Sequence, residues 1–200
     1  MHMVIVGSGV AGVTVARTIR ENDPKAKISV YMDEDHLYYP RPRLYEVLSG
    51  EAKPQEIYMF SGEWYEKRGI KVYLNKKVLG VETAKKELLL EDRSRVSYDK
   101  LLLANGAHAV MPPVKGVEKT GVFTLRSIKD ALTIKEYTKK TKKVIIIGGG
   151  LLGLEFAAPL RKLGQQVEVI EISSRLLPRQ LDEDGATILK DQIETRGINI

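Results

Sequence analysis

The chain has 200 residues, 43% hydrophobic and 29% charged, which is an ordinary balance for a soluble globular protein. It contains no cysteine, which excludes disulfide bonds, thiolate nucleophiles, iron–sulfur clusters and any redox chemistry that passes through a protein thiol. Its apolar segments, such as 144–152, are far shorter than the ~20 residues that cross a bilayer, and no basic leader precedes the first strand. We therefore expect a cytoplasmic protein without a membrane partner.

The net charge of +6 and the three histidines both have ordinary explanations. A solvated surface rich in Lys and Glu is the ordinary explanation of the net charge. The basic run 139–143 lacks interleaved aromatic residues and precedes a strand, so we interpret it as a helix end whose cations face the C-terminal dipole. His2, His36 and His108 have no metal-ligand spacing. We expect neither a nucleic-acid partner nor a metal site, whereas a basic face suits an acidic protein partner.

Strands and helices alternate in the first half of the chain. Hydrophobic periodicity predicts strands at 3–6, 28–32, 70–74 and 100–104, and helices at 10–21 and 64–68. Pro40 and Pro42 restrict any helix within 37–48 to the part that follows them. Three short segments separated by charged turns, 78–81, 87–90 and 96–98, predict a small antiparallel sheet.

The second half repeats the alternation after a break at Met111-Pro112-Pro113, which is typical of a linker between domains. The pattern predicts helices at 128–137, 151–163 and 185–195, strands at 143–147 and 167–170, and the start of another strand at 198–200. Alternation of this kind predicts an α/β fold with a parallel sheet between helices. We expect two Rossmann-like, three-layer dinucleotide-binding domains, 1–110 and 111–200, with a small antiparallel β segment and an incomplete second domain.

Two glycine-rich turns each follow a predicted strand and open a predicted helix. The first is Gly7-Ser8-Gly9-Val10-Ala11-Gly12 and the second is Gly148-Gly149-Gly150-Leu151-Leu152-Gly153. In this fingerprint the first glycine makes a tight turn, the second lets a pyrophosphate approach the backbone, and the third lets helix and strand pack closely. The free N–H groups and the dipole at the helix start then hold the phosphates. Because the required context is met twice, we predict two dinucleotide sites, the second formed by Gly148, Gly150, Leu151, Leu152 and Gly153.

An acidic residue about 20 positions after each fingerprint is the expected ribose contact. Glu171 closes the strand after the second fingerprint, where its carboxylate would accept hydrogen bonds from ribose hydroxyls. No arginine stands beside it to bind a 2′-phosphate, since Arg175 comes four residues later, so the second site favours NADH over NADPH. At the first site Asp33 is the expected contact and Glu34 the alternative, because a shift of one residue at the strand end exchanges them.

The two fingerprints, with a β segment between them that ends in Leu101-Leu102-Leu103-Ala104-Asn105-Gly106-Ala107, resemble the two-dinucleotide, FAD- and NAD(P)H-dependent pyridine nucleotide oxidoreductases. The terminal pattern is similar to that family's Ala-Thr-Gly signature, with Asn105 in place of threonine. The resemblance implies that FAD lies on the first fingerprint, near Ala104, Asn105 and Gly106, with its adenine near Val78. It covers the N-terminal part of the family's length only. The chain is then either truncated or completed by a C-terminal half on another chain.

Within that family, the segment Tyr38-Tyr39-Pro40-Arg41-Pro42-Arg43-Leu44 resembles the thiol-free members: rubredoxin reductases, NADH oxidases without a redox thiol, and the flavin portion of assimilatory nitrite reductases. Members that use thiols carry redox cysteines in this neighbourhood. The resemblance implies that Arg41 lies beside the isoalloxazine ring, where a cation stabilises the anionic reduced flavin. It also implies that Glu155 faces the nicotinamide and pairs with that cation. Arg41 and Glu155 are the predicted catalytic residues, and the alternative for both is a solvated surface charge.

These observations lead to two functional hypotheses. The first is an FAD-dependent oxidoreductase that accepts hydride from NADH, or NADPH, and passes electrons to oxygen or to a small electron-transfer protein such as rubredoxin, without a redox cysteine. Its side chains would mainly orient the two cofactors, because the cofactors carry the hydride chemistry. The alternative is a non-catalytic dinucleotide-binding sensor or assembly subunit that keeps the folds without turnover.

Overall fold

The computed structural model describes residues 1–200. The helices are α1 (Val10–Asn22), α2 (Leu44–Ser49), α3 (Gly62–Lys67), α4 (Ile128–Thr138), α5 (Leu151–Lys162) and α6 (Glu183–Glu194). The strands are β1 (His2–Val6), β2 (Lys27–Tyr31), β3 (Ile70–Tyr73), β4 (Val78–Glu82), β5 (Glu87–Leu90), β6 (Arg95–Ser97), β7 (Lys100–Leu103), β8 (Lys143–Ile147), β9 (Gln166–Ile170) and β10 (Ile198–Asn199). Every predicted helix and strand is present, with ends that differ by one or two residues.

Contacts along the chain divide it into two compact units. The first unit comprises Met1–Arg41 and Pro54–His108, and the second comprises Pro42–Lys53 and Ala109–Ile200. The segment Pro42–Lys53, which contains α2, therefore packs with the second unit although it lies inside the first half of the sequence. The boundary at residues 110 and 111 stays a prediction.

The first unit is built on four parallel strands in the order β3-β2-β1-β7. One face of this sheet forms a core in which Ile5 and Ile28 of the strands pack with Val13 of α1 and Tyr65 of α3. These positions alternate with residues that point to the opposite face, as expected for a strand. Helices α1 and α3 thus cover the apolar side chains on one face of the sheet. The apolar side chains on the other face are covered by a different layer.

A three-stranded antiparallel sheet, β4-β5-β6, supplies that other layer in the first unit. Val4 and Tyr31 of the parallel sheet pack there with Leu88 and Leu90 of β5. The rings of Tyr31 and Tyr73 stack at 4.6 Å between centroids, on neighbouring strands. Both faces of the first parallel sheet are therefore covered within its own unit.

The second unit has three parallel strands in the order β10-β9-β8. Helix α5 packs on β9, whose Val167 and Val169 are buried. On the opposite face, Ile145, Ile147 and Ile170 are each about half exposed or more. That face carries no antiparallel layer of the kind found in the first unit.

Helix α2 packs against α4 and α5 and buries Leu44, Val47 and Leu48. Helix α4 begins with a capping box, in which the Asp130 N–H donates to Ser127 Oγ at 3.2 Å and the Ser127 N–H donates to Asp130 Oδ2 at 2.8 Å.

The predicted α/β class, with Rossmann-like parallel sheets and a small antiparallel sheet, is confirmed. None of the helices combines the length and the apolar character needed to span a lipid bilayer.

Candidate dinucleotide-binding sites

The first fingerprint forms a tight turn between β1 and α1. Gly7 has φ +97°, and its N–H donates to the carbonyl of Tyr31 at 2.8 Å. A Cβ on Gly7 would lie 2.2 Å from the carbonyl oxygen of Ala104, and one on Gly12 would lie 2.0 Å from the carbonyl oxygen of Gly7. At Gly9, by contrast, a Cβ would meet nothing within 4 Å. Packing therefore requires the first and third glycines, whereas the second leaves open space beside the backbone where a pyrophosphate would approach.

The second fingerprint repeats this geometry between β8 and α5. Gly148 has φ +112°, and its N–H donates to the carbonyl of Ile170 at 2.8 Å. A Cβ on Gly153 would lie 2.0 Å from the carbonyl oxygen of Gly148, and a Cβ on Gly150 would meet nothing within 4 Å. The second and third glycines thus have the same roles in both units. The first glycine has a positive φ in both, but a Cβ on Gly148 would meet nothing within 4 Å, so packing does not require that glycine.

Both helices that follow the fingerprints begin without a side-chain cap. Gly9 and Gly150 are the N-cap residues, and neither first turn contains an acidic residue. The first backbone N–H groups of α1 and α5 are therefore available to a ligand, and no carboxylate of the first turn neutralises the positive ends of the dipoles. The side chains that open these helices are exposed: Val10, Ala11, Leu151 and Leu152.

The residue that follows the strand differs between the two sites. The first glycine of each fingerprint bonds the last residue of the neighbouring strand, so Met32 in the first unit and Glu171 in the second occupy equivalent positions. Met32 is buried, and its Sδ accepts a hydrogen bond from Ser8 Oγ at 2.7 Å. Asp33 follows Met32, and its side chain is exposed. The first site thus has a thioether where the second has a carboxylate.

Glu34 belongs to a network with Tyr39 and Arg41. Its carboxylate accepts hydrogen bonds from Tyr39 Oη at 2.5 Å and from Arg41 Nη1 at 3.2 Å, and it forms an ion pair with Arg41 Nη2. Tyr39 is buried, and the Arg41 guanidinium carbon lies 4.6 Å from the centroid of its ring. Burial acts to lower the pKa of Arg41, but the hydrogen bond to Glu34 and the nearby negative groups outweigh it and raise that pKa. The guanidinium therefore stays charged.

Backbone N–H groups hold the carboxylate of Glu171. The N–H of Gly149 donates to Oε2 at 2.7 Å, and the N–H of Ser173 donates to Oε1 at 2.8 Å. These bonds lower the pKa of Glu171 and keep its carboxylate ionised. The bond from Ser173 makes the larger contribution and the bond from Gly149 the next. The ionised carboxylate at this strand end is the kind of acceptor that binds ribose hydroxyls.

The other predicted contacts lie near strand or helix ends. The N–H of Ala104 donates to the carbonyl of Val6 at 2.8 Å, and the exposed Asn105 and the left-handed Gly106, with φ +70°, follow it. Val78 is the first residue of β4 and is half-buried. Glu155 lies exposed on α5, in the second unit, whereas Arg41 belongs to the first. The pairing of Glu155 with that cation stays a prediction.

Sequence reasoning did not identify four residues of these networks, namely Met32, Tyr39, Gly149 and Ser173. Gly149 occupies a fingerprint position that the pattern leaves open to any residue, so the pattern itself assigns it no role. Nothing in the sequence distinguishes Tyr39 from an ordinary packing aromatic residue, and Met32 is the last residue of the predicted strand 28–32. For Gly149 one signal was present, namely a glycine where none is required, followed 22 residues later by the acidic residue that its N–H contacts.

This fold and its two fingerprints define a class of protein with two dinucleotide-binding units. The model of the pyridine nucleotide-disulphide oxidoreductase family matches residues 1–200, and the chain belongs to that family. The family predicted from the sequence is thereby confirmed, although the chain has no cysteine to form the disulphide of the family name.

Relatives of the chain include proteins of nitrogen assimilation and electron transfer. It is 34% identical to the assimilatory nitrate reductase electron transfer subunit of Bacillus subtilis, over 98% of this chain and 26% of that protein. It is 33% identical to the NADH-rubredoxin oxidoreductase of Clostridium acetobutylicum, over 99% of this chain and 51% of that protein. A crystal structure of NADH:rubredoxin oxidoreductase from that organism has a TM-score of 0.90, with 34% identity over 100% of this chain and 52% of that one. The chain therefore spans from about a quarter to about half of the length of these relatives.

Among solved structures with the same fold, one is bound to NADH and another to NADPH. The water-forming NADH oxidase of Lactobacillus brevis, bound to NADH, has a TM-score of 0.88 and 26% identity, over 100% of this chain and 46% of that one. An engineered mutant of that enzyme, bound to NADPH, has a TM-score of 0.89 and 26% identity over the same shares. The fold alone therefore does not select the nucleotide, and the choice depends on side chains at the site.

Proposed function

We propose that the chain binds FAD at the first fingerprint and NADH at the second, and acts in a flavoprotein NADH oxidoreductase. One observation carries the proposal, namely the repetition of the same turn geometry, with open space at Gly9 and at Gly150, in two units of one chain. Relatives named NADH oxidase and NADH-rubredoxin oxidoreductase support the same reading. The acceptor is proposed to be oxygen or a small electron-transfer protein such as rubredoxin.

The residues present fit both cofactors. At each fingerprint a Cβ at the second glycine would fill the space beside free helical N–H groups, and no side chain fills it. We assign FAD to the first site because Ala104, Asn105 and Gly106 follow β7 beside Gly7 there, in the pattern that resembles the FAD-contacting signature. The second unit offers Glu171 for a nicotinamide nucleotide.

The side chains of the chain supply position and charge to this chemistry. When bound, FAD supplies the ring that accepts hydride from NADH, and the protein orients the two rings. Arg41 supplies a permanent positive charge, which we propose lies beside the flavin. Glu34 and Tyr39 hold that guanidinium within its own unit.

We propose NADH as the nucleotide because the second site carries a fixed negative charge at the ribose position. The ionised Glu171 would repel a 2′-phosphate and would accept hydrogen bonds from free hydroxyls. Arg175, the nearest arginine along the chain, donates to the carbonyls of Leu181 at 3.2 Å and Pro178 at 3.3 Å, which directs it to its own loop. The neighbour of Glu171, Ile172, offers no cation.

The test is an absorbance spectrum of the purified protein before and after anaerobic addition of NADH. We expect a yellow protein whose oxidised-flavin bands bleach with NADH. A colourless protein that binds only adenine nucleotides would contradict the proposal and indicate a non-catalytic binding module. Reoxidation of the bleached protein by oxygen, compared with reoxidation by added rubredoxin, then distinguishes the two acceptors.

A further inference from the structure

We infer that Gly149 is a positioning residue, which sets the nucleotide preference of the second site by holding the carboxylate of Glu171 in place. The inference rests on the proposed binding of NADH at that site. Gly149 lies between the turn-forming Gly148 and the N-cap Gly150, at a position where the fingerprint accepts any residue.

The contact between the two residues is direct and well formed. The Gly149 N–H donates to Glu171 Oε2 at 2.7 Å, while the Ser173 N–H holds the other carboxylate oxygen at 2.8 Å. Held at both oxygens, the carboxylate keeps one orientation without a ligand. Bonds from N–H groups to a carboxylate are among the stronger hydrogen bonds in proteins.

The absence of a side chain on Gly149 makes this arrangement possible. An added Cβ would lie 2.5 Å from Leu176 Cδ2, 3.1 Å from Glu171 Cβ and 3.3 Å from Glu171 Oε2. Gly149 is not among the glycines with positive φ, so alanine would not strain the backbone there. Substitution would therefore move Leu176 and Glu171 without breaking the turn.

The first unit provides an internal comparison at the equivalent positions. Ser8 stands where Gly149 stands, and its hydroxyl donates to Met32 Sδ at 2.7 Å. In that unit a side chain at the fingerprint position accompanies a strand end without an acid. In the second unit Gly149 is paired with an acidic residue, Glu171. The residue at the fingerprint position and the residue after the strand therefore both change between the two units.

A displaced carboxylate should affect the two nicotinamide nucleotides differently. NADH would lose hydrogen bonds from its ribose hydroxyls to Glu171. NADPH carries a phosphate at one of these hydroxyls and gains nothing from a fixed negative charge beside it. A substitution that acts through Glu171 should thus weaken NADH binding selectively, whereas general damage to the turn should weaken both.

The experiment measures NADH and NADPH binding calorimetrically on the full chain and on Gly149→Ala, Glu171→Ala and the double variant. We expect Gly149→Ala to weaken NADH binding by about tenfold, the loss of one hydrogen bond to a charged group, with NADPH binding within about twofold of wild type. In the Glu171→Ala background the same substitution should add less than about twofold, because the residues act as one unit. Gly62→Ala is the control for a glycine-to-alanine change, because a Cβ there would meet nothing within 4 Å. Gly150→Ala, at the N-cap of α5, should weaken the binding of both nucleotides.

A second readout needs no nucleotide. Carbon-13 NMR titration of the Glu171 carboxyl group should give a pKa below the ordinary ~4.3 in the wild type and a higher pKa in Gly149→Ala. An unchanged titration, an equal loss of both nucleotides, or additive effects in the double variant would each overturn the role of Gly149. A wild-type chain that binds neither nucleotide would instead overturn the proposed function, and the titration would still decide whether Gly149 holds the carboxylate.

Discussion

Glu171 and Glu34 have different surroundings in the folded chain. Glu171 stands at the predicted strand end, and backbone N–H groups hold both of its oxygens. Glu34, predicted as the alternative ribose contact, binds Tyr39 and Arg41. The glycines were predictable because their roles follow from backbone geometry at fixed spacings. The partners of Glu34 were not, since a carboxylate with several neighbours within seven residues has no unique partner in a sequence.

Replacing Arg41 by alanine should slow the reduction of bound flavin by NADH. The expected decrease is at least about tenfold, because a fixed positive charge near developing negative charge is a large term in catalysis. Anaerobic stopped-flow absorbance measures the rate. Arg43→Ala is the matched control, since Arg43 pairs with Glu46 instead. Equal rates in wild type and Arg41→Ala would contradict the role given to Arg41.

Two alanine substitutions in the first fingerprint should separate stability from binding. Gly7→Ala places a Cβ 2.2 Å from a backbone oxygen and requires φ +97°, so the free energy of unfolding should fall by more than about 2 kcal/mol. Gly9→Ala meets nothing within 4 Å and should cost at most about 1 kcal/mol, the difference between glycine and alanine at an N-cap, while weakening FAD binding. Urea denaturation and flavin titration measure the two effects. The idea fails if Gly9→Ala retains wild-type flavin affinity.

At the scale of elements, local signals placed each helix and strand, whereas the contact that holds α2 is long-range. Pro40 and Pro42 correctly restricted the helix to the residues after them, and it begins at Leu44. Its three buried apolar side chains indicate that it packs, but they do not identify the partner. That partner is the pair α4 and α5, which begin 79 and 102 residues after the end of α2.

The ion pair at the start of α2 should make stability depend on pH. Arg43 donates two hydrogen bonds of 2.6 Å to Glu46. This hydrogen bonding is the main cause that lowers the pKa of the Glu46 carboxyl group. Since the folded pKa lies below the unfolded value of ~4.3, the stabilisation is complete above about pH 5 and is lost as the pH falls through the folded pKa.

Glu46→Gln should therefore lower the free energy of unfolding at pH 7 by up to about 1 kcal/mol. The variant and the wild type should converge in acid, as followed by urea denaturation at a series of pH values. Glu66→Gln, at an exposed position of α3, is the control and should run parallel to the wild type. A constant difference between Glu46→Gln and wild type at all pH values would exclude the ion pair as its cause.

At the scale of the molecule, the repetition of one strand–turn–helix unit was predictable from the sequence, and the different covering of the two sheets was not. Strands of both units carry apolar residues on both faces. In the first unit β5 covers the second face with Leu88 and Leu90, whereas Ile145, Ile147 and Ile170 of the second unit stay exposed. An alternating strand pattern states which residues share a face but not what lies on it.

The exposed isoleucines should make this chain bind a hydrophobic dye. We expect Ile145→Thr with Ile147→Thr to reduce the fluorescence of bound anilinonaphthalene sulfonate at least about twofold, because neighbouring exposed apolar side chains attract such ligands. The melting temperature should change little, since the side chains lie largely in solvent. Val169→Thr, on the buried face, is the control and should lower the melting temperature instead. Unchanged fluorescence in the double variant would place the apolar surface elsewhere.

The excursion of Pro42–Lys53 into the second unit has a consequence for dissection and recombination of this chain. A cut after His108 would leave α2 on the N-terminal fragment, without the helices it packs against. Leu44, Val47 and Leu48 would then have no surface to cover them. The other fragment would lose the helix that packs on α4 and α5. Chimaeras that exchange one nucleotide unit between relatives must therefore move two pieces of sequence together, α2 with everything after His108, and a crossover at the proline linker alone would mismatch that contact.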